Sequence, residues 1–207
     1  MRTLVYCGTN MCSDFIELIN SGEYDMCYGF EAHPTLYNRA KKIFNNMNNV
    51  EMYNVILGEE HDTIKEFFIQ DPNHSGCDFA SSTGKITEEY GKVSGNEIEL
   101  KDTVNIKTMN LYKFLQEKNI SEIDFLLTDL EGSDLDVIKT LKPMIETKSI
   151  KKIQCEVEPD KMPIKYDGLD NKFSGFDNIL KENYRLTWID PVAEEDWFSI
   201  DHRWELK

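Results

Sequence analysis

Three acids crowd the point where an apolar run ends: Asp129, Glu131 and Asp134, in LLTDLEGSDLDVIKTL (126–141). Carboxylates this close repel one another. A helix N-terminus welcomes acids through its partial positive charge, and that suffices for Asp134. Asp129 and Glu131 lie instead on the strand-to-helix turn, where open α/β sheets bind their ligands. Without a partner, either carboxylate is pushed towards a raised pKa. A ligand ammonium or hydroxyl would relieve the crowding. Hard cations also favour oxygen ligands, but no metal is assigned to these acids.

A second candidate is the loop YCGTNMCSD (6–14), which follows the first apolar run. Only Gly8 stands where a dinucleotide fingerprint carries three glycines, so the motif alone is weak. Glu31 adds to it. It ends the second apolar run, where an acid is placed to accept hydrogen bonds from ribose hydroxyls; a plain surface acid is the alternative. Glu156, in QCEVEP (154–159), ends a later run in the same manner.

The elements that must position these residues alternate in type. Short apolar runs over 3–7, 26–32, 50–57, 122–130 and 151–157 read as strands. Between them, 13–22, 35–47, 110–119 and 132–146 carry apolar residues at helical spacing. Ser13 and Asn110 are the expected caps of two of these helices. TIKEFFIQ (63–70) is expected to pair antiparallel beyond the third strand, and TVNIKTM (103–109) to be a strand ahead of the helix at 110. After a polar loop to about residue 174, a helix and two closing strands follow. This succession predicts an α/β chain with a doubly wound, mostly parallel sheet. Periodicity fades over 71–101, which is expected to be a lid or active-site loop, helical within KITEEYGKV (85–93).

Composition bounds the rest. With 207 residues, a single domain spanning 1–207 is expected. The net charge of -15 disfavours nucleic acid and anionic membranes as partners. No apolar run reaches membrane-spanning length. Five cysteines without a C-x-x-C pair read as reduced thiols, and with no apolar signal core at the start they predict a cytoplasmic protein.

GFEAHP (29–34), followed by TDLEGSDLDVIKTL, resembles the FkbM-type S-adenosylmethionine-dependent methyltransferases, whose pattern is FE-x-x-P and then D-x-EG with an apolar helix. VNIKTMNLYKFL (104–115) looks like the segment that precedes their D-x-EG strand, and ASST (80–83) is similar to their Ser-Ser element. The likeness runs from about Leu4 to Val157 in conserved order of motifs. It implies a Rossmann-like class I methyltransferase fold: a seven-stranded sheet, helices on both faces and an antiparallel C-terminal strand. It implies O-methylation, with S-adenosylmethionine as cofactor and a sugar, glycan or other small-molecule hydroxyl as acceptor. The cofactor would lie over Gly8, Thr9 and Asn10, with Glu31 on its ribose, Ala32 beside it, and Ser81 and Ser82 closing over it. Asp129 would face the methionine end and the acceptor, as general base, with Glu131 second. Glu156 would bind acceptor hydroxyls. Tyr6, Cys12 and Leu127 stand where the family carries an acid, a glycine and often a lysine. The alternative is a catalytically lapsed Rossmann-like binding or interaction module.

Overall fold

The computed structural model describes residues 1–70, 81–94, 100–191 and 199–207. His74, Cys77, Ala80, Trp197 and the parts of the expected lid at 71–80 and 95–99 lie outside the described residues. The elements are β1 (Thr3–Cys7), α1 (Ser13–Asn20), β2 (Met26–Phe30), α2 (Pro34–Phe44), β3 (Val50–Tyr53), β4 (Ile56–Leu57), β5 (Ile64–Gln70), α3 (Glu88–Ser94), β6 (Leu100–Met109), α4 (Leu111–Glu117), β7 (Ile123–Thr128), α5 (Asp134–Thr140), α6 (Lys142–Glu146), β8 (Ile150–Val157), α7 (Phe173–Leu180), β9 (Tyr184–Ile189) and β10 (Ile200–Leu206).

Seven strands form one sheet in the order β3-β2-β1-β7-β8-β10-β9. All its pairings are parallel except those of β10, which runs antiparallel to β8 and to β9. This is the sheet arrangement that the resemblance implies. The central strands are buried on both faces, so their residues alternate between two cores rather than between core and water. Leu4, Tyr6, Phe125 and Leu127 pack with Phe15 and Phe44. Val5, Cys7, Leu126, Ile153 and Cys155 pack on the other side with Phe114, Ile138 and Phe176.

Several expectations are corrected. The strand expected at 103–109 starts at Leu100 and leaves the main sheet; β6 pairs with β5 and β4 in a second, three-stranded sheet. The third expected strand divides: β3 stays at the edge of the main sheet, and β4 crosses to β6. The helix expected over 132–146 breaks at Leu141, and Pro143 then opens α6 in the first-turn position that needs no N–H. Ser13 begins α1, but the capping residue is Cys12, in the left-handed conformation at φ 66° and without a side-chain cap. Ile43 of α2 and Met47, which lies just beyond its end, are exposed. The cap at Asn110 is as expected: its Oδ1 accepts from Lys113 N–H at 3.1 Å.

The parallel register sets up the site. Cys7 lies level with Phe30 on one side and with Thr128 on the other, and Thr128 lies level with Cys155. The next residue of each strand is therefore Gly8, Glu31, Asp129 and Glu156. Four positions far apart in sequence become one row along the carboxyl edge.

Candidate active site at the carboxyl edge

Gly8 turns the chain out of β1 at φ +83°, a conformation side chains rarely adopt. Its N–H and that of Thr9 both donate to Phe30 C=O, at 2.8 and 3.1 Å, tying the loop to β2. Asn10 continues the turn at φ 48° and donates its N–H to Glu31 Oε2 at 2.7 Å. The other oxygen, Oε1, accepts from His33 N–H at 2.8 Å. Glu31 is thus fixed between the first loop and the start of α2. Burial raises its pKa, and the hydrogen bonds from His33, Asn10 and Ala32 act against that. Asn54 braces the same corner through bonds to the carbonyls of Glu31 and Ala32, both 2.8 Å.

Over this corner opens a small pocket of about 50 Å³. Gly8, Asn10, Glu31, Ala32, Ser81 and Asp129 line it. His33, Leu36, Phe67, Leu130 and Glu131 complete its wall. A neighbouring hollow of about 270 Å³ lies on the other side of the loop, lined by Tyr6, Thr9, Asn10, Met11, Ser13, Asp14 and Asp129. The two share Asn10 and Asp129. Thr9 is therefore on the second hollow only. Ser82 is buried off both and donates its hydroxyl to Glu131 C=O at 2.7 Å.

Beyond the pocket the acids gather. Carboxylate oxygens of Asp129, Glu131 and Glu156 come within 4.8 Å of one another. The cation in place is Lys165, whose ammonium meets Glu131 Oε2 at 2.6 Å. Tyr166 donates its hydroxyl to the same oxygen at 2.6 Å. Asp129 differs: its carboxylate accepts no hydrogen bond from the described residues. Burial, and then the charges of Glu156, Glu131, Asp134 and Asp201, hold its pKa well above the usual range. Glu156 is pushed up to about 8 by burial and by Glu131, against the pull of Lys165. Asp134 is more than a first-turn acid. It is fully buried, its pKa rises to about 7, chiefly through burial, and it accepts from Leu130 N–H at 3.1 Å and from Asn171 at 3.2 Å.

Lys165, Tyr166 and Phe67 had no signal in the chain's periodicity. Lys165 and Tyr166 come from the polar stretch after β8, pinned to the segment before α3 by Thr87 N–H to Lys165 C=O at 3.0 Å and by a bridge between Ile86 and Tyr166. Tyr6 is buried and packs edge-on against Phe15 at 5.5 Å. Cys12 points into the same core and lines neither hollow. His61 and His202 are held: Asn110 N–H donates to His61 Nδ1 at 3.1 Å, and His202 is buried against Phe173 and Trp204.

Comparison with known proteins bears on the fold and on the family. A crystal structure described as methyltransferase FkbM from Methylobacillus flagellatus KT matches 98% of the chain at 12% identity and a TM-score of 0.57. The chain covers 43% of that protein, less than half its length. M. capricolum TrmK, in complex with S-adenosylhomocysteine, matches all of the chain at 10% identity and a TM-score of 0.50, with 62% of that protein covered. A putative methyltransferase from Streptococcus mutans, in complex with S-adenosylhomocysteine, matches all of it at 9% identity and a TM-score of 0.51, with 89% covered. These likenesses concern the fold. No curated protein sequence matches. The family comparison is more direct: the domain described as the methyltransferase FkbM domain matches residues 7–186, from the end of β1 into β9. With the row of Gly8, Glu31, Asp129 and Glu156 inside that span, the chain belongs to the FkbM methyltransferase domain family.

Proposed function

We propose that the chain is an S-adenosylmethionine-dependent O-methyltransferase acting on a hydroxyl of a sugar, a glycan or another small molecule. One observation supports it above the rest. The pocket at the carboxyl edge joins the glycine turn, a doubly anchored strand-end glutamate and a strand-end aspartate whose carboxylate accepts no hydrogen bond from the described residues.

The residues fit such a cofactor. Glu31 has its oxygens fixed by two N–H groups and keeps lone pairs for ribose hydroxyls. Gly8 lets the ends of β1 and β7 meet beside the pocket, since a Cβ there would overlap the Asp129 carbonyl oxygen. Asn10 Oδ1 is buried with no hydrogen-bond partner among the described residues, an acceptor that suits an ammonium. When bound, the cofactor supplies an electrophilic methyl group. The chain has to orient an acceptor oxygen towards it and remove that oxygen's proton. Asp129 is the base, since its carboxylate is uncommitted. Glu131 is committed to Lys165 and Tyr166 and shapes the wall. Glu156 faces the acceptor hydroxyls. Ser81 touches the cofactor side; Ser82 anchors the turn.

The lapsed-module reading rests on Tyr6 and Cys12. Cys12 is turned into the core and leaves the loop open, which favours an active enzyme. A cytoplasmic site of action fits Cys7, Cys12, Cys27 and Cys155, which are all free and buried. Among the described residues no helix is long and apolar enough to cross a membrane. The acidic surface disfavours nucleic-acid acceptors.

Calorimetric titration with S-adenosylhomocysteine tests the cofactor, with micromolar binding expected, about -8 kcal/mol. Transfer of labelled methyl groups to a panel of sugars and small alcohols tests the acceptor. Asp129→Asn should stop transfer while the protein stays folded. No binding, together with no transfer, would return the lapsed module.

A further inference from the structure

Asp129 stands at a crossing. It is shared by the pocket that holds Glu31 and by the hollow that holds Thr9 and Asp14. A cofactor with its ribose at Glu31 and its amino-acid end beyond Gly8 has to pass Asp129, and the atom between those two parts is the sulfur. The inference therefore rests on the function proposed above.

The surroundings of Asp129 are almost all acidic. Glu131 follows it on the turn and Asp134 opens α5. Glu156 comes from β8, with a hydrogen bond from Ser199, and Asp201 from β10, level with Glu156. On the β1 side is the neutral hydroxyl of Tyr6, itself near Asp14 of α1. The nearby cation, Lys165, is spoken for by Glu131. Glu31, across the pocket, is spoken for by Asn10 and His33. A carboxyl group in this position has no stabilised ionised form until a positive charge arrives.

We propose that Asp129 is a charge-sensing residue: it is protonated in the empty protein and releases its proton when a sulfonium occupies the crossing, so the site distinguishes methyl-loaded cofactor from the spent thioether. The burial and crowding that raise its pKa act in the same direction. The balance closes over one turnover. Ionised Asp129 takes the proton of the acceptor hydroxyl as the O–CH3 bond forms. The S–CH3 bond breaks, and its electron pair remains on sulfur. Sulfonium and carboxylate become thioether and carboxylic acid together, so no net charge is left in the site. Asp129 returns to its resting form at the moment the product no longer needs it ionised.

The test is calorimetric and needs no turnover. The wild-type protein is titrated with S-adenosylmethionine and with S-adenosylhomocysteine at pH 7, in metal-free buffers of low and high ionisation enthalpy. The expected result is that S-adenosylmethionine releases more protons than S-adenosylhomocysteine, by up to about one per site. Its relative affinity should also rise with pH by up to about tenfold per unit, while Asp129 remains the protonated form in the empty protein. Asp129→Asn, an isosteric change, should erase both differences and still bind the thioether. Equal proton release by the two ligands in the wild type, or a difference that survives in Asp129→Asn, overturns the proposal. If neither ligand binds, the methyltransferase reading itself fails, a result distinct from equal release.

Discussion

Gly8 and Asp129 meet backbone to backbone where β1 and β7 end. Asp129 donates its N–H to Cys7 C=O at 2.9 Å, and a Cβ on Gly8 would overlap the carbonyl oxygen of Asp129. The smallest substitution therefore forces the two strand ends apart and also places a side chain at φ +83°. Gly8→Ala is expected to cost about 3 kcal/mol or more, since backbone cannot yield as a flexible side chain can. Urea denaturation measures this; a loss under about 1 kcal/mol would show that the strand ends move freely.

Glu31 is held by two N–H donors, and that predicts the effect of its closest isostere. Glu31→Gln replaces one oxygen by an NH2 that must face a backbone N–H of Asn10 or His33. Two donors then oppose each other in a buried place. Loss of a charge-assisted bond there is worth about 1.5–3 kcal/mol. Affinity for S-adenosylhomocysteine should fall by about tenfold to a hundredfold. Unchanged affinity would remove Glu31 from the cofactor site.

Glu31, Gly8, Asp129 and Glu156 were legible in the chain because each ends an apolar run, and the parallel pattern makes run ends neighbours. The register then does the rest. Lys165, Tyr166 and Phe67 were not legible for the converse reason. Lys165 and Tyr166 sit in a polar stretch without period, brought to Glu131 by contacts with the segment before α3. Phe67 sits on a strand whose place depends on β6 leaving the main sheet. The crossing of Leu100–Met109 to a second sheet is likewise a long-range choice that local alternation does not encode. Asp134 looked like any first-turn acid, and only the fold shows it fully buried.

The Lys165–Glu131 pair predicts an asymmetric mutant series. Both side chains are largely buried, so removing the cation strands a charge. Lys165→Met should cost about 3–5 kcal/mol. Tyr166→Phe removes one hydrogen bond to the same oxygen and should cost about 1–3 kcal/mol. Denaturation midpoints check both. If Lys165→Met is as stable as the wild type, the pair does not hold the wall to the turn.

Cys12 tests the first loop. It caps α1 in the left-handed conformation with its thiol buried. Cys12→Ala keeps the backbone strain and loses the sulfur contacts. Cys12→Gly loses the same contacts and removes the strain. The glycine variant should therefore be the more stable of the two by about 1 kcal/mol. Thermal unfolding of the pair decides it. The reverse order would mean that the chain leaves the left-handed conformation when the thiol is absent.

Stability should also run against the usual acid-labile pattern. The carboxyls of Glu156, at about 8, and Asp134, at about 7, sit far above the values of free carboxyls, so the folded protein holds protons that the unfolded chain gives up. Where the folded state binds more protons, stability falls as pH rises. The contribution is complete below about pH 4 and disappears as pH passes through the folded values, so the midpoint temperature should decline between about pH 5 and 8.5. Glu156→Gln, which cannot ionise, should flatten the alkaline part of that decline. A melting temperature that rises across this interval would mean that the cluster is ionised and compensated by a cation other than Lys165. A flat profile in the wild type would mean that the acids titrate as they do in water.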